Sequence, residues 1–72
     1  MMTEAQARAF ATSSARMAVD QAAAYGGLQN SIDAYRQNVR DTLKEDRSDE
    51  HEAAAFDAYD GEVTIQLSLL LA

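Results

Sequence analysis

An amphipathic pattern runs through Leu28-Gln-Asn-Ser-Ile32-Asp-Ala-Tyr35-Arg-Gln-Asn-Val39-Arg-Asp-Thr-Leu43. Its large apolar residues recur at steps of four, three, four and four, which places them along one face of an α-helix. The opposite face is polar and consists of Asp33, Arg36, Gln37, Arg40, Asp41 and Lys44. We predict a helix over about residues 30–46, with Asn30 as its N-cap, that buries its apolar face.

A second helix is predicted upstream, over about residues 3–25, because this region is dense in strong helix formers. Thr3 and Gln6 have the spacing of a capping box at its start. Alanine recurs at steps of four, four, three and four, which gives a stripe made of Ala7, Ala11, Ala15, Ala18 and Ala22. Such a stripe allows another helix to approach closely, either within the chain or in a dimer, and a cofactor groove is the less favoured alternative.

The two helices are separated by Tyr25-Gly26-Gly27-Leu28. Glycine just after a helix adopts the left-handed conformation without a Cβ penalty, and it commonly ends the helix. A turn this short makes consecutive helices antiparallel neighbours. The sequence therefore predicts an antiparallel helical hairpin.

A short third helix is predicted over about residues 49–59. Ser48 or Asp49 can cap it, and Asp49 with Glu52 has capping-box spacing. We expect this helix to bury Phe56 with Ala53 and Tyr59, and we expect Asp60-Gly61 to end it or to start a hairpin turn.

The apolar C-terminal segment covers residues 62–71. Six of the eleven Val, Ile and Leu residues lie here: Val63, Ile65, Leu67, Leu69, Leu70 and Leu71. Alternation from Val63 to Leu69 favours a β-strand, although the three consecutive leucines that end the segment also suit a helix. A strand would pair with Ala55–Tyr59 or with the same strand of a second protomer. We expect these six residues to complete the core or to form a dimer contact.

Composition favours a single small domain, residues 1–72, that is mainly α-helical and dimeric. Of 34 hydrophobic residues 15 are alanine, which contributes little apolar area to a core. A chain of this length buries only about 60% of its unfolded surface. With no cysteine and a single histidine, oligomerisation is the remaining way to add stability.

Negative charge is concentrated in residues 45–60, which we call the acidic segment. It carries one basic residue, Arg47, against Glu45, Asp46, Asp49, Glu50, Glu52, Asp57 and Asp60. Phosphate backbones would be repelled by such a segment, whereas a basic protein surface would be attracted to it. We interpret these seven carboxylates as the contact surface for a partner, although part of the cluster also suits a helix N-terminus.

No motif in the chain identifies a reaction, a metal or a cofactor. His51-Glu52-Ala-Ala-Ala55 lacks the second histidine of a zinc helix, and the sequence around Gly61 lacks three oxygen ligands of a calcium loop. No serine lies beside a base in a recognisable nucleophile motif. We expect no enzyme activity, no cofactor and no direct nucleic-acid binding.

Neither a secretory signal nor a span of about 20 apolar residues is present, so we expect a cytoplasmic protein without membrane contact. These observations favour a non-catalytic interaction module, a small homodimeric regulator or inhibitor that docks on a larger protein partly through the acidic segment. The alternatives are a structural subunit of a larger assembly and an acidic nucleic-acid mimic that blocks a DNA- or RNA-handling protein.

Overall fold

Three α-helices and two short 3₁₀ turns make up the structure, a computed structural model that describes residues 1–72. The helices are α1 (Glu4–Asp20), α2 (Leu28–Glu45) and α3 (Glu52–Leu71). The 3₁₀ turns are Ala22–Tyr25, after α1, and Asp49–His51, before α3. The prediction of a mainly α-helical protein is confirmed.

Helix α1 begins with the capping box that the sequence predicts. The Thr3 hydroxyl accepts the Gln6 backbone N–H at 3.1 Å, and the Gln6 side chain accepts the Thr3 N–H at 2.9 Å. The helix ends at Asp20, five residues before the predicted boundary, and the chain continues as the Ala22–Tyr25 3₁₀ turn.

The turn between α1 and α2 depends on Gly26, which adopts a left-handed φ of 80°. The Gly27 N–H donates to the Ala22 carbonyl at 2.9 Å, which closes the end of the preceding turn. Helix α2 starts at Leu28 without a side-chain cap, so the prediction of Asn30 as N-cap is wrong. Gly27, with a φ of 134°, occupies the N-cap position instead, so the helix begins two residues earlier than expected.

The antiparallel hairpin of α1 and α2 is confirmed by contacts at its two ends. The Ser31 hydroxyl donates to the Ala18 carbonyl at 2.6 Å near the turn. At the opposite end, the Met2 N–H donates to the Ser48 hydroxyl at 2.6 Å.

The core consists mainly of small side chains. Its fully buried members are Ala7, Ala11 and Ala15 of α1, Val39 and Leu43 of α2, and Ala55 and Tyr59 of α3. The alanine stripe brings the helices close together, and Tyr59 is the largest fully buried side chain. Ala18 is also fully buried, whereas Ala22 lies in the 3₁₀ turn and is half-buried. The packing expected of the stripe is therefore found within one chain for four of its five alanines.

Helix α3 is not short, and the strand interpretation of the C-terminal segment is wrong. The helix runs without a break from Glu52 through Gly61 to Leu71. A glycine inside a helix costs only about 1 kcal/mol, and a helix that is already nucleated extends at one hydrogen bond per residue. An isolated strand would leave its backbone groups unpaired, whereas a helix pairs them internally.

The start of α3 also differs from the prediction. Asp49–His51 forms a 3₁₀ turn, and neither this turn nor α3 has a side-chain cap, so the capping box of Asp49 and Glu52 does not form. Tyr59 is buried and Phe56 packs against the core as expected, but Ala53 is exposed. Ala53 lies two residues before Ala55, and this spacing turns it away from the core.

Helix α3 runs parallel to α1 and antiparallel to α2. Two ion pairs show its direction relative to α1, from Arg8 to Asp57 and from Arg16 to Glu62. Twenty helical residues span about 30 Å, close to the longest dimension of the molecule, 35 Å. One end of the bundle therefore holds the α2–α3 connection, and the other holds the α1–α2 turn and the last residues of α3.

Candidate functional site

The six apolar residues of the C-terminal segment divide into two groups. Val63 packs against the core and Leu67 is half-buried. The other four are exposed over 54% to 88% of their surface: Ile65, Leu69, Leu70 and Leu71. The structure therefore uses the first part of the segment in the core and leaves the rest uncovered.

Exposed apolar side chains are concentrated at the end of the bundle where α3 finishes. Seven large hydrophobic residues are exposed, and all except Met1 lie in the last turn of α1, in the 3₁₀ turn after it or in the second half of α3. Four of them lie on adjoining turns of α3, and we call these four the apolar end: Ile65, Leu69, Leu70 and Leu71. Tyr25 instead packs against Tyr35 of α2, with the ring centroids 5.3 Å apart. Isolated exposed leucines are ordinary, but neighbouring ones on one helix form a contiguous apolar surface.

The last turns of α3 are apolar almost all round. Consecutive helical residues are about 100° apart, so Leu69, Leu70 and Leu71 cover more than half of the circumference. Ile65 lies on the same face as Leu69, four residues earlier. A helix that is apolar all round is normally covered on every side, and the bundle contacts only one side of this one.

The acidic segment is largely neutralised by cations of the same chain. Asp46 accepts from the Ser48 hydroxyl at 2.7 Å and lies 3.7 Å from the N-terminal ammonium. The other three ion pairs are Arg40–Glu52 at 2.8 Å, Arg8–Asp57 at 3.4 Å and Arg36–Asp60 at 3.2 Å. Four of the seven predicted contact residues thus bind their own chain.

The hydrogen bond from Ser48, supported by the nearby ammonium, lowers the pKa of Asp46. This aspartate therefore fixes the N-terminus against the α2–α3 connection. Its place in the fold gives it a structural role.

Glu45, Asp49 and Glu50 are the predicted residues that remain without a Lys or Arg partner, and we call them the acidic end. All three are exposed around the α2–α3 connection, and Glu50 lies 3.8 Å from the imidazole of His51. Two exposed cations, Lys44 and Arg47, lie at the same connection and offset part of this negative charge. Asp57 and Asp60 lie further along α3, where one faces α1 and the other faces α2. The seven carboxylates therefore do not form one continuous patch.

A shallow groove of about 130 Å³ lies between α2 and α3. It is lined by Asp33, Arg36, Gln37, Arg40 and Phe56. The guanidinium groups of Arg36 and Arg40 lie over the Phe56 ring, 4.0 and 5.1 Å from its centroid. Arg36 binds Asp60 through two nitrogens, which raises the pKa of Arg36, and Arg40 binds Glu52. Because both cations are neutralised within the chain, the groove offers little charge to an anionic ligand.

Sequence reasoning missed Glu62, a buried carboxylate on the core-facing side of α3. It accepts from the Gln66 amide at 2.7 Å and from Arg16 at 3.2 Å, and these two hydrogen bonds lower its pKa. Glu62 follows Tyr59 by three residues and Ala55 by seven. This helical spacing would have revealed it had the helix been continued past Gly61.

No three of the His, Cys, Asp and Glu side chains lie close enough together to hold a metal ion. None of the helices combines the length and the apolar character needed to cross a bilayer. Comparison with protein-family models, with curated proteins and with solved structures finds no match to this chain. We therefore infer its function from the positions, burial and charges of its own residues.

Proposed function

We propose that this protein is a non-catalytic protein–protein interaction module whose main binding element is the apolar end. The observation that carries the proposal is the exposure of Ile65, Leu69, Leu70 and Leu71 on the last turns of α3. Water is a poor solvent for such a surface, so its burial against another protein is favourable.

The partner that the proposal places first is a second copy of the chain. The exposed fractions of the four side chains at the apolar end add up to between two and three whole side chains. At about 2 kcal/mol per buried side chain, complete burial in a dimer would contribute roughly 11 kcal/mol of favourable free energy. Association costs about 4 to 15 kcal/mol in lost freedom of motion. Because the two terms are of similar size, we expect a weak homodimer that forms at high protein concentration.

In this proposal the dimer acts as a small regulator or inhibitor that docks on a larger protein. Glu45, Asp49 and Glu50 are the carboxylates left to attract a basic surface, and the exposed Lys44 and Arg47 beside them offset part of their charge. Exposed charges of this kind act mainly on the rate of association. A nucleic-acid mimic is less favoured, because it needs free carboxylates and four of the seven candidates are bound by the chain's own cations.

Sedimentation velocity tests the binding element. We expect the wild-type chain to form a dimer as its concentration rises, and a Leu69→Gln/Leu70→Gln variant to remain a monomer. Both side chains are largely exposed, so the variant should keep its helical circular dichroism spectrum. A Thr64→Gln/Ser68→Gln variant is the matched control, because it changes two exposed polar residues of the same helix and should still dimerise.

Two results would contradict the proposal. A wild-type chain that stays monomeric at all concentrations would exclude the homodimer, and a dimer that survives the leucine substitutions would exclude the apolar end as its contact. Growth into larger species without a defined end point would favour the structural subunit instead, since a two-fold contact closes at two copies.

A further inference from the structure

We infer that the fold allows helix α3 to be exchanged between two copies of the chain, with the α2–α3 connection straightening into a continuous helix. In the resulting dimer each α3 packs on the α1–α2 hairpin of the partner. Exchange of an identical element preserves the contacts of the single chain, which makes it a low-cost route to a dimer. It uses the core of the bundle and does not depend on the apolar end.

The connection between α2 and α3 is held in a conformation that its residues do not favour. Arg47 has a φ of 57°, and it is the only residue other than glycine with a positive φ. It occupies the position after α2 that glycine usually takes, and the Ser48 N–H beside it donates to the Leu43 carbonyl at 2.7 Å. A Cβ makes the left-handed conformation unfavourable. Short connections under strain of this kind favour exchange of the element that follows them.

The sequence of the connection is compatible with a helix. The chain contains no proline, and no glycine occurs between Gly27 and Gly61. Neither the Asp49–His51 turn nor α3 has a side-chain cap that would fix the start of α3. A nucleated helix extends at one hydrogen bond per residue. When the connection straightens, α2 and α3 therefore join into one helix from Leu28 to Leu71.

The antiparallel packing of α2 and α3 makes the exchanged dimer geometrically closed. Two of the joined helices, related by a two-fold axis at the connection, lie antiparallel to each other. The α3 part of one helix then lies beside the α2 part of the other, in the orientation that α3 has within a single chain. The buried Tyr59 ring and its hydrogen bond to the Ile32 carbonyl are therefore formed again between the two copies.

The charges of α3 match the hairpin and identify a second copy as the occupant. Each of the four charged residues of α3 is a carboxylate that binds an arginine of α1 or α2. The pairs are Arg8–Asp57, Arg16–Glu62, Arg36–Asp60 and Arg40–Glu52. Together they fix the register of α3 along the hairpin. The α3 of a second copy carries the same carboxylates at the same spacing, so it fits this surface without any change.

Several contacts oppose the exchange and keep the single chain closed at low concentration. Ser48 is fully buried, and its hydroxyl accepts the Met2 N–H at 2.6 Å and donates to Asp46 at 2.7 Å. A continuous helix would break these contacts, and it would bring Glu45 close to Asp49, a like-charged residue four positions later. The exchanged dimer therefore requires a high protein concentration.

The exchange is also slow. Release of α3 removes Ala55 and Tyr59 from the core, so it requires most of the fold to open. We expect exchanged dimers to form when the protein refolds from urea at high concentration, and to persist after dilution. A chain that folds at low concentration stays closed, and its sedimentation reports only the rapid, weak association at the apolar end.

Two substitutions of Arg47 test the role of the connection. Arg47→Gly and Arg47→Ala both remove the guanidinium, so each is the matched control of the other. Glycine favours the left-handed turn and disfavours the continuous helix, whereas alanine does the reverse. The proteins are refolded from urea at concentrations up to about 1 mM, the effective concentration of a short linker. We expect the concentration that gives half dimer to be at least about tenfold higher for Arg47→Gly than for Arg47→Ala.

A distance between two spin labels on one chain identifies the exchange. Asp33 and Thr64 are exposed, and they lie about one turn beyond the Arg36–Asp60 ion pair on neighbouring helices. The chain contains no cysteine, so Asp33→Cys/Thr64→Cys is labelled without background. The labelled chain is refolded with an excess of unlabelled chain, so that only distances within one chain are measured. We expect roughly 20 Å or less in the monomer, and about 47 Å in the exchanged dimer, because 31 positions separate the labels along a continuous helix.

The outcomes decide between exchange and other modes of association. A slowly dissociating dimer with the long distance supports the inference. A dimer in which the distance stays short overturns it, as does a chain that refolds as a monomer at every concentration, or equal dimer formation by Arg47→Gly and Arg47→Ala. Circular dichroism checks that both variants fold.

The Leu69→Gln/Leu70→Gln variant separates the inference from the proposed function. Both leucines lie outside the core, so the exchanged dimer should form in this variant after refolding, while rapid association at the apolar end should be lost. Absence of rapid association in the wild type would refute the proposed homodimer and leave the exchange in place. Absence of the exchanged dimer would refute the inference alone.

Discussion

Replacement of Gly61 by alanine should stabilise the protein. Gly61 lies in the interior of α3, and a Cβ built on it meets no atom within 4 Å. Alanine is favoured over glycine in a helix interior by about 0.8 to 1.0 kcal/mol, and no steric cost opposes this gain. We therefore expect Gly61→Ala to raise the free energy of unfolding by about 1 kcal/mol.

The matched control is Gly26→Ala, which should have the opposite sign. Gly26 has a φ of 80°, and its added Cβ would lie 3.5 Å from the Asn30 amide, an ordinary contact distance. The cost is therefore conformational, about 1 to 2 kcal/mol for an L-residue in the left-handed region.

Urea and thermal unfolding followed by circular dichroism measure both variants. For a domain of this size, 1 kcal/mol corresponds to a change in Tm of about 4 to 8 °C. All proteins are compared at one concentration, because association would make Tm depend on concentration. If Gly61→Ala lowers the stability, the residue needs a turn conformation, and the unbroken helix from Glu52 to Leu71 is refuted.

Two further predictions concern the core. Burial raises the pKa of Tyr59 to about 12 from an ordinary 10.0, so the neutral phenol stabilises the fold below pH 10, and this contribution, about 3 kcal/mol, is lost as the pH rises from 10 through 12. Urea unfolding at pH 8 and at pH 11 should show a loss that is roughly 1.4 kcal/mol larger in the wild type than in Tyr59→Phe. The raised pKa of Tyr35 adds a loss that both proteins share, so the difference between them reports Tyr59. Ala11 is fully buried in the stripe that brings the helices together, so Ala11→Leu should lower the free energy of unfolding by about 1 to 3 kcal/mol through overpacking. Ala9→Leu, on the exposed side of α1, should change it little. Equal stabilities of the two variants in urea would contradict the close packing.

The hairpin was predictable because several local signals agree. Thr3 and Gln6 form the capping box, the alanine stripe is buried from Ala7 to Ala18, and Gly26 adopts the left-handed conformation expected after a helix. Each of these features depends on residues only a few positions apart. Because these local signals agree with one another, the hairpin can be predicted without knowledge of the tertiary structure.

The C-terminal segment could not be assigned because two periods fit it equally well. Val63, Ile65, Leu67 and Leu69 alternate as in a strand, but Val63, Leu67 and Leu70 also follow a helical spacing. Whether the segment forms a strand or a helix depends on whether Gly61 ends α3. A glycine inside a helix is tolerated when the flanking residues favour the helix. For the same reason the burial of Glu62 could not be predicted, because it follows only from a continuous helix.

The acidic segment was misleading for another reason. Its excess of negative charge is real in the sequence, but Asp57 is neutralised by Arg8, 49 positions earlier, and Asp60 by Arg36, 24 positions earlier. No local pattern reports ion pairs over such separations. Charge counted along a chain therefore overstates the charge available to a partner.

The distribution of apolar residues links folding to association in this chain. The fully buried core residues of helix α1 are all alanine, which brings the backbones together but buries little apolar area. The large aliphatic residues that could compensate lie mostly in the second half of α3, beyond the surface that the bundle can cover. A small domain with a core of this kind has a small free energy of unfolding. Burial of Leu69, Leu70 and Leu71 in a complex would stabilise the folded state alone, because the unfolded chain offers no such surface. The segment that binds the partner would then also raise the free energy of unfolding of the chain.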